Sequence, residues 1–311
     1  MLGVCKGDHR TVIGAAAVGQ EGSLPSGGLL ARLNGPWDAC RSMAQTLMDA
    51  LFPAACCGCG KLFRIPRRPL PDHEKHTDGT PLCDPIHDAL CGYLCDRCVS
   101  RYAVVVSPFC LRCGVPFESP LAIDHVCGDC RVRAPSYAMA RAAGVYEEVL
   151  KNTIHQYKYG GRESLARPLG RLLWNVFSEH WHPDRIDRVV PVPLHRGRLR
   201  QRGFNQAYAL VREWPQLAAR DGWHLPADWL APDLLERRRP TRPQAGLSKD
   251  QRIANLADAF GMADTQRVRG QRVLLVDDVM TTGATVDACT RVLLKAGAHE
   301  VRVLTVARAV R

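Results

Sequence analysis

Apolar and polar positions follow different rules in successive parts of the chain. Residues 1 to about 36 are rich in Gly, Ala and Ser without sustained periodicity, which predicts a disordered tail over 1–36, with Met43 an alternative start. From Trp37 to Leu51 the spacing is helical and stops before Pro53. Arg64 to Leu90 is dense in Pro, His and Asp and predicts an exposed insert. Regular patterning begins with a strand over Tyr137 to Val145 and a helix over Tyr146 to Tyr159, with Val149, Leu150, Ile154 and Tyr157 inward. Ser164 is placed to cap a further helix through Phe177, with Pro168 near its first turn. Val189 and Val190 read as a strand that runs into Pro191-Val192-Pro193-Leu194. Val273 to Val276 is too short for a helix and rich in β-branched residues, so it predicts a buried strand closed by Asp277 and Asp278. The helix after it puts Val286, Cys289, Leu293 and Ala296 on one face and ends at Gly297. Val301 to Ala307 supplies a last strand.

Length and composition narrow the class. A chain of 311 residues has room for two domains at ~100–200 residues each. With 46% hydrophobic and 23% charged residues, the composition is that of a soluble globular protein. No apolar run approaches the ~20 residues that span a bilayer. Thr11 to Gly19 is too rich in Ala and Gly for a signal-peptide core, so a cytoplasmic location is expected. A formal charge of +11 favours anionic partners.

The cysteines add chemistry. Eight of the 14 form pairs separated by two residues: Cys56/Cys59, Cys95/Cys98, Cys110/Cys113 and Cys127/Cys130. Each pair presents two sulfurs to one tetrahedral ion, so four pairs predict two structural zinc sites. Gly60, Gly114 and Gly128 follow ligands and let backbone amides approach the sulfurs. A reducing compartment disfavours the competing disulfide framework. Cys57 is a spare, and His73, His76, His87, Cys83 and Cys91 in or beside the insert are read as belonging to a solvated loop.

The stretch Val273 to Thr285, VLLVDDVMTTGAT, carries the sharpest signal. Thr281, Thr282, Gly283, Ala284 and Thr285 open a helix and offer backbone N–H groups, hydroxyls and the positive helix end to a phosphate. The Asp277 and Asp278 carboxylates beside them can accept hydrogen bonds from a sugar diol. A ribose 5-phosphate derivative fills both halves. Between His195 and Val211 no acid occurs, and Arg196, Arg198, Arg200 and Arg202 come at every second position in a basic loop, before Gly203-Phe204-Asn205-Gln206 starts a helix. Arg237 to Gln244 is basic and Pro-rich, as a mobile flap would be.

The thirteen-residue stretch resembles the phosphoribosyl pyrophosphate (PRPP) motif of type I phosphoribosyltransferases. From about Cys56 to Arg308 the chain resembles the ComF (ComFC/GntX-like) family linked to bacterial competence. The shared markers are the four cysteine pairs, Lys158-Tyr159, Pro191 to Leu194, Arg202 to Gln206, Thr241 with Gln244, Arg252 with Asn255, and the PRPP motif. The tail and the insert depart from the family pattern. The resemblance implies an α/β fold, a mostly parallel sheet flanked by helices (136–311), after a cysteine-rich zinc-ribbon-like domain (37–135, with 64–90 as its insert). It implies that Cys56/Cys59 shares one zinc with Cys95/Cys98, and Cys110/Cys113 the other with Cys127/Cys130, an interleaved pairing being the alternative. It further implies phosphoribosyl transfer from Mg²⁺-bound PRPP to an acceptor in support of DNA uptake with competence proteins. Asp277 and Asp278 would then hold the ribose, Thr281 to Thr285 the 5-phosphate, and Arg196, Arg202 and Lys158 the pyrophosphate. The alternatives are a non-catalytic single-stranded-DNA or nucleotide-phosphate module and a PRPP-sensing regulator.

Overall fold

Four runs rich in Val, Leu and Ala build the parallel sheet on which everything else is mounted. The computed structural model describes residues 53–65, 85–117, 123–240, 251, 255–256 and 258–310. The tail, the Trp37 to Leu51 segment, His73, His76, Cys83, Thr241, Gln244 and Arg252 lie outside the described residues.

Strands β1 (Ala54–Ala55) and β2 (Leu62–Phe63) pair antiparallel around the first cysteine knuckle. Helices α1 (Pro85–Leu90) and α2 (Asp96–Val99) follow, the latter carrying Cys98. Helix α3 (Gly128–Val132) carries Cys130. The sheet begins with β3 (Ala140–Val145), followed by α4 (Glu148–Tyr159) and α5 (Ala166–His180). Then come β4 (Arg188–Pro191), α6 (Arg196–Arg202), α7 (Gln206–Val211) and α8 (Trp214–Arg220). A small antiparallel pair, β5 (Leu235–Arg237) and β6 (Phe260–Met262), precedes β7 (Arg272–Met280), α9 (Ala284–Lys295) and β8 (Glu300–Arg308).

The four-stranded order is β3-β8-β7-β4, with every pairing parallel. The central strands β7 and β8 are nearly continuous in buried residues because helices cover both faces of such a sheet. Pro191 has no N–H to give a ladder, and it sits on β4 at one end of the strand order. The strand expected over Val273 to Val276 continues to Met280, since β7 keeps pairing with β8 through Asp277↔Thr305 and Met280↔Arg308. Ser164 is no helix cap: it lies in a 3₁₀ turn, Glu163–Leu165, that feeds α5.

Against one face of the sheet, α5 places Trp174 and Phe177 into a cluster with Trp214 and Trp229. The buried indoles keep their hydrogen bonds: Trp214 Nε1 donates to the Gly170 carbonyl (3.1 Å) and Trp229 Nε1 to that of Ile186 (2.8 Å). At Gly170 the two helices touch backbone to backbone, since a Cβ there would lie 2.2 Å from the Leu210 carbonyl oxygen. The cysteine-rich segment shares these cores. Cys56, Cys57 and Cys98 pack with Leu150, Ile154 and Leu304, and Cys110, Cys113 and Cys130 with Tyr137, Ala140 and Val303. Among the described residues no helix is long and apolar enough to cross a membrane.

Candidate functional site

Parallel strands deliver their loops to one edge, and here the carboxyl ends of β4 and β7 open onto a cavity of about 180 Å³. Asp277, Asp278, Lys158, Arg198, Arg202, Arg237 and Thr285 line it. A contiguous cradle of about 30 Å³ shares Asp277 and Thr285 and adds Thr281, Gly283 and Ala284, the loop expected to hold phosphate. Gly283 has φ 78°, a left-handed conformation that lets the chain leave β7 and enter α9 within one turn.

Because β7 stays extended, its two acids point to opposite faces rather than side by side. Asp278 is buried and forms an ion pair with Lys158 of α4 at 2.7 Å. Burial alone would lower the Lys158 ammonium, yet the Asp278 carboxylate holds it above its usual value. On the other face, burial and then the Asp278 charge push the Asp277 carboxyl up to about 7. Its Oδ1 accepts a hydrogen bond from the Asp278 amide at 2.8 Å. Lys158, expected at the pyrophosphate, lines the same cavity and is paired there with Asp278.

The basic segment is a helix rather than a loop. His195 caps it, accepting from Gly197 N–H. In a helix, residues four apart share a face, so Arg198 and Arg202 look into the cavity. Arg196 and Arg200 are exposed and do not line it. The chain then turns at Gly203, and Asn205 caps α7 by accepting from Ala207 N–H at 3.0 Å while donating to the Val192 carbonyl at 3.2 Å. Arg202 donates to Tyr159 Oη (2.8 Å) and Gln206 Oε1 (3.0 Å), which holds its guanidinium at the rim.

Arg237 belongs to β5 rather than to a flap, with its guanidinium 5.3 Å from the Phe260 ring centroid. Burial, and then the like charge of Arg198, lowers Arg237 below its usual value. Two guanidinium groups at one cavity wall suit a multivalent anion. A larger cavity of about 690 Å³ lies between β6 and α9, but neither the acid pair nor the phosphate loop borders it.

The cysteines meet as two tetrads, Cys56/Cys59/Cys95/Cys98 and Cys110/Cys113/Cys127/Cys130, so the pairing is consecutive and not interleaved. Within each, the ligand atoms lie within 4.8 Å of one another. The Cys59–Cys95 and Cys113–Cys127 sulfur separations are 3.9 and 3.8 Å. Zn–S bonds of ~2.3 Å in a tetrahedron place sulfurs about 3.8 Å apart, so the donors fit zinc. Against the upward push of burial, the amides of Cys95, Cys59 and Gly58 bring the Cys56 thiol down to about 7, and those of Cys113, Cys127 and Arg112 do the same for Cys110. Cys57 stands outside the tetrad and accepts from Arg162 Nη1 at 3.3 Å. Among the described residues, His87 and Cys91 join no metal-ligating group.

Nothing in the neighbouring sequence marks Arg308. Its buried guanidinium donates to the carbonyls of Cys113 (3.0 Å), Met280 (3.1 Å) and Thr281.

The phosphoribosyl transferase domain family matches residues 236–310. Competence protein F of Haemophilus influenzae is 32% identical over 224 residues, covering 70% of this chain and 90% of that protein. DNA utilization protein YhgH of Escherichia coli (strain K12) is 33% identical over 222 residues, 69% and 90% of the two chains. Competence protein ComFC of Bacillus subtilis is 27% identical over 210 residues, 66% and 79% respectively. The matched family span contains β6, β7, α9 and β8, so the sheet is that of a phosphoribosyltransferase, preceded by a cysteine-rich region of zinc-ribbon type.

Proposed function

We propose, for a chain that belongs to the ComF family of competence and DNA-utilization proteins, that the cavity beside β7 binds Mg²⁺–PRPP and passes its phosphoribosyl group to an acceptor. The observation that carries this reading is the convergence of Asp277, Asp278, Arg198, Arg202 and Arg237 on one cavity that continues into a cradle lined by Thr281, Gly283, Ala284 and Thr285, while Thr282 borders the cavity beside Cys113 instead. The cradle takes the 5-phosphate on backbone N–H groups and hydroxyls. Asp277 and Asp278 take the ribose hydroxyls, directly or through the metal's water shell, and Lys158 holds Asp278 in place. The hard carboxylate oxygens suit magnesium, which when bound would offset charge on the pyrophosphate. Arg198, Arg202 and Arg237 hold the departing pyrophosphate, so that negative charge developing as the C1–O bond breaks meets preorganised cations. The eight tetrad cysteines hold two structural zinc ions.

Calorimetry tests the pocket. Wild type should bind Mg²⁺–PRPP, and replacing both Asp277 and Asp278 by Asn should weaken binding more than tenfold, at ~1.5–3 kcal/mol per charged hydrogen bond. Equal binding by the two proteins would overturn the reading. A screen for pyrophosphate release with candidate acceptors then tests transfer itself.

The biological role we propose is cytoplasmic support of DNA uptake, in line with the relatives named for competence and DNA utilization. A clean deletion that transforms normally would remove it. One observation favours a second, non-catalytic reading, in which the chain handles single-stranded DNA. Arg196 and Arg200 face solvent, and Tyr159 (64% exposed, with the Arg202 guanidinium over one face of its ring) and Tyr208 (39%) are exposed aromatics of the kind on which bases stack. If DNA uses the phosphate cavity, PRPP should displace it and Asp277→Asn should alter that displacement.

A further inference from the structure

We infer that the second cysteine tetrad is a positioning element for the phosphate loop, tied to it by Arg308; the inference rests on the reading that Thr281 to Thr285 holds a phosphate. Arg308 ends β8, is 8% exposed, and lies in register with Met280 at the end of β7. One edge of its guanidinium grips the tetrad: Nε donates to the Cys113 carbonyl at 3.0 Å, and Nη2 lies 3.7 Å from Cys113 Sγ. The other edge grips the loop, with Nη1 donating to the Met280 carbonyl at 3.1 Å and to that of Thr281. A planar fork with donors on two sides can hold two elements in one geometry, which a lysine cannot do.

Two further contacts run between the same elements. The Tyr137 hydroxyl lies 3.3 Å from where a Cβ on Gly283 would be, so it backs the loop at its turning residue. The Ser136 amide donates to Asp287 Oδ1 at 2.6 Å, which fixes the first turn of α9. Tyr137 is held in turn by Arg112, between the ligands Cys110 and Cys113, whose Nη1 donates to its carbonyl at 3.4 Å. Cys113, Cys130, Tyr137, Gly283 and Arg308 enclose a space of about 80 Å³. Charge supports the arrangement: the Arg308 guanidinium lies beside Cys113 Sγ, where a zinc ion held by four thiolates would carry a net charge of about −2. Beside the first tetrad, by contrast, Asn152 of α4 donates to the Gly58 carbonyl at 2.8 Å and Arg162 to the neighbouring Cys57.

Hydrogen exchange read together with PRPP calorimetry tests this. In the zinc-loaded chain, Arg308→Lys should speed exchange of the Thr281 to Thr285 amides by about tenfold or more while amides of α5 stay protected. PRPP affinity should fall by about the same factor. Removing metal from wild type should reproduce the loop effect and add little to Arg308→Lys. Loop exchange unchanged in the variant, or metal removal acting equally on both proteins, overturns the inference. Should Arg308→Lys not fold, stripped wild type decides alone: a loop that stays protected overturns it. A wild type that shows the coupled exchange but does not bind PRPP sinks the PRPP reading and keeps the tie.

Discussion

Asp277 is where the demands of folding and of binding conflict. Its ordinary carboxyl would be ionised well below neutrality, but burial and the Asp278 charge hold its proton up to about 7. A group whose folded value is raised adds stability below its unfolded value, near 3.8, and loses it as pH climbs through about 7. Asn keeps the oxygen that accepts from the Asp278 amide and never ionises. Asp277→Asn should therefore raise the melting temperature relative to wild type, with a gain that grows between pH 5 and pH 8. Melts at both pH values check it, and a variant less stable at pH 8 than wild type would contradict it. Binding runs the other way: Mg²⁺–PRPP affinity should rise with pH as Asp277 ionises, and the rise should vanish in the variant. Lys158 differs, since removing it strands the buried Asp278 carboxylate. Lys158→Ala should cost about 3 kcal/mol in urea melts.

Among the elements, β7, its phosphate loop and α9 were legible because an apolar run, an acid pair and a small-residue turn each leave a distinct pattern. Helix α6 was not. Its arginines come at every second position and give no apolar stripe, so the pattern predicts a loop in which Arg196 and Arg202 would act together. Once the segment is helical, Arg198 and Arg202 share a face and Arg196 turns away. Strand β5 leaves no such pattern, because three residues flanked by Pro-rich basic sequence carry no period. Neither close packing nor a strand's end-to-end anchoring shows in sequence, yet both support the site. Gly170 lets α5 meet α7 at its backbone, and Gly170→Ala would drive a Cβ to 2.2 Å from the Leu210 oxygen. It should destabilise by about 1–3 kcal/mol, read from urea midpoints. At the start of β4 and β7, Asp187 takes a forked hydrogen bond from Arg272 (2.8 and 3.0 Å) and another from the Arg272 amide (2.7 Å). Despite partial burial, these bonds from Arg272 lower the Asp187 carboxyl below its usual value. Its stabilisation is thus present above pH ~4 and lost on further acidification. The deficit of Asp187→Asn against wild type should shrink when the melts are repeated near pH 2.5.

For the whole molecule the question is how far the metal sites reach. A zinc-ribbon segment with its own core would melt by itself when its metal is removed, because structural zinc contributes ~10–16 kcal/mol to folding such peptides. Here the tetrads have no core of their own among the described residues. Cys56 and Cys98 sit among Leu150, Ile154 and Leu304, and Cys110, Cys113 and Cys130 among Tyr137, Ala140 and Val303. Leu304 and Val303 are neighbours on β8, a central strand, so the two clusters press on opposite faces of one sheet. Loosening either cluster exposes apolar surface that the sheet itself buries. Chelation should then shift a single cooperative transition downward, with near-UV signal from the Trp174–Trp214 cluster lost together with the backbone signal. Scanning calorimetry and two-wavelength circular dichroism, with and without chelator, make the comparison. A separate low-temperature transition confined to the cysteine-rich segment, with the tryptophan cluster intact, would mean that the metal sites stabilise only themselves.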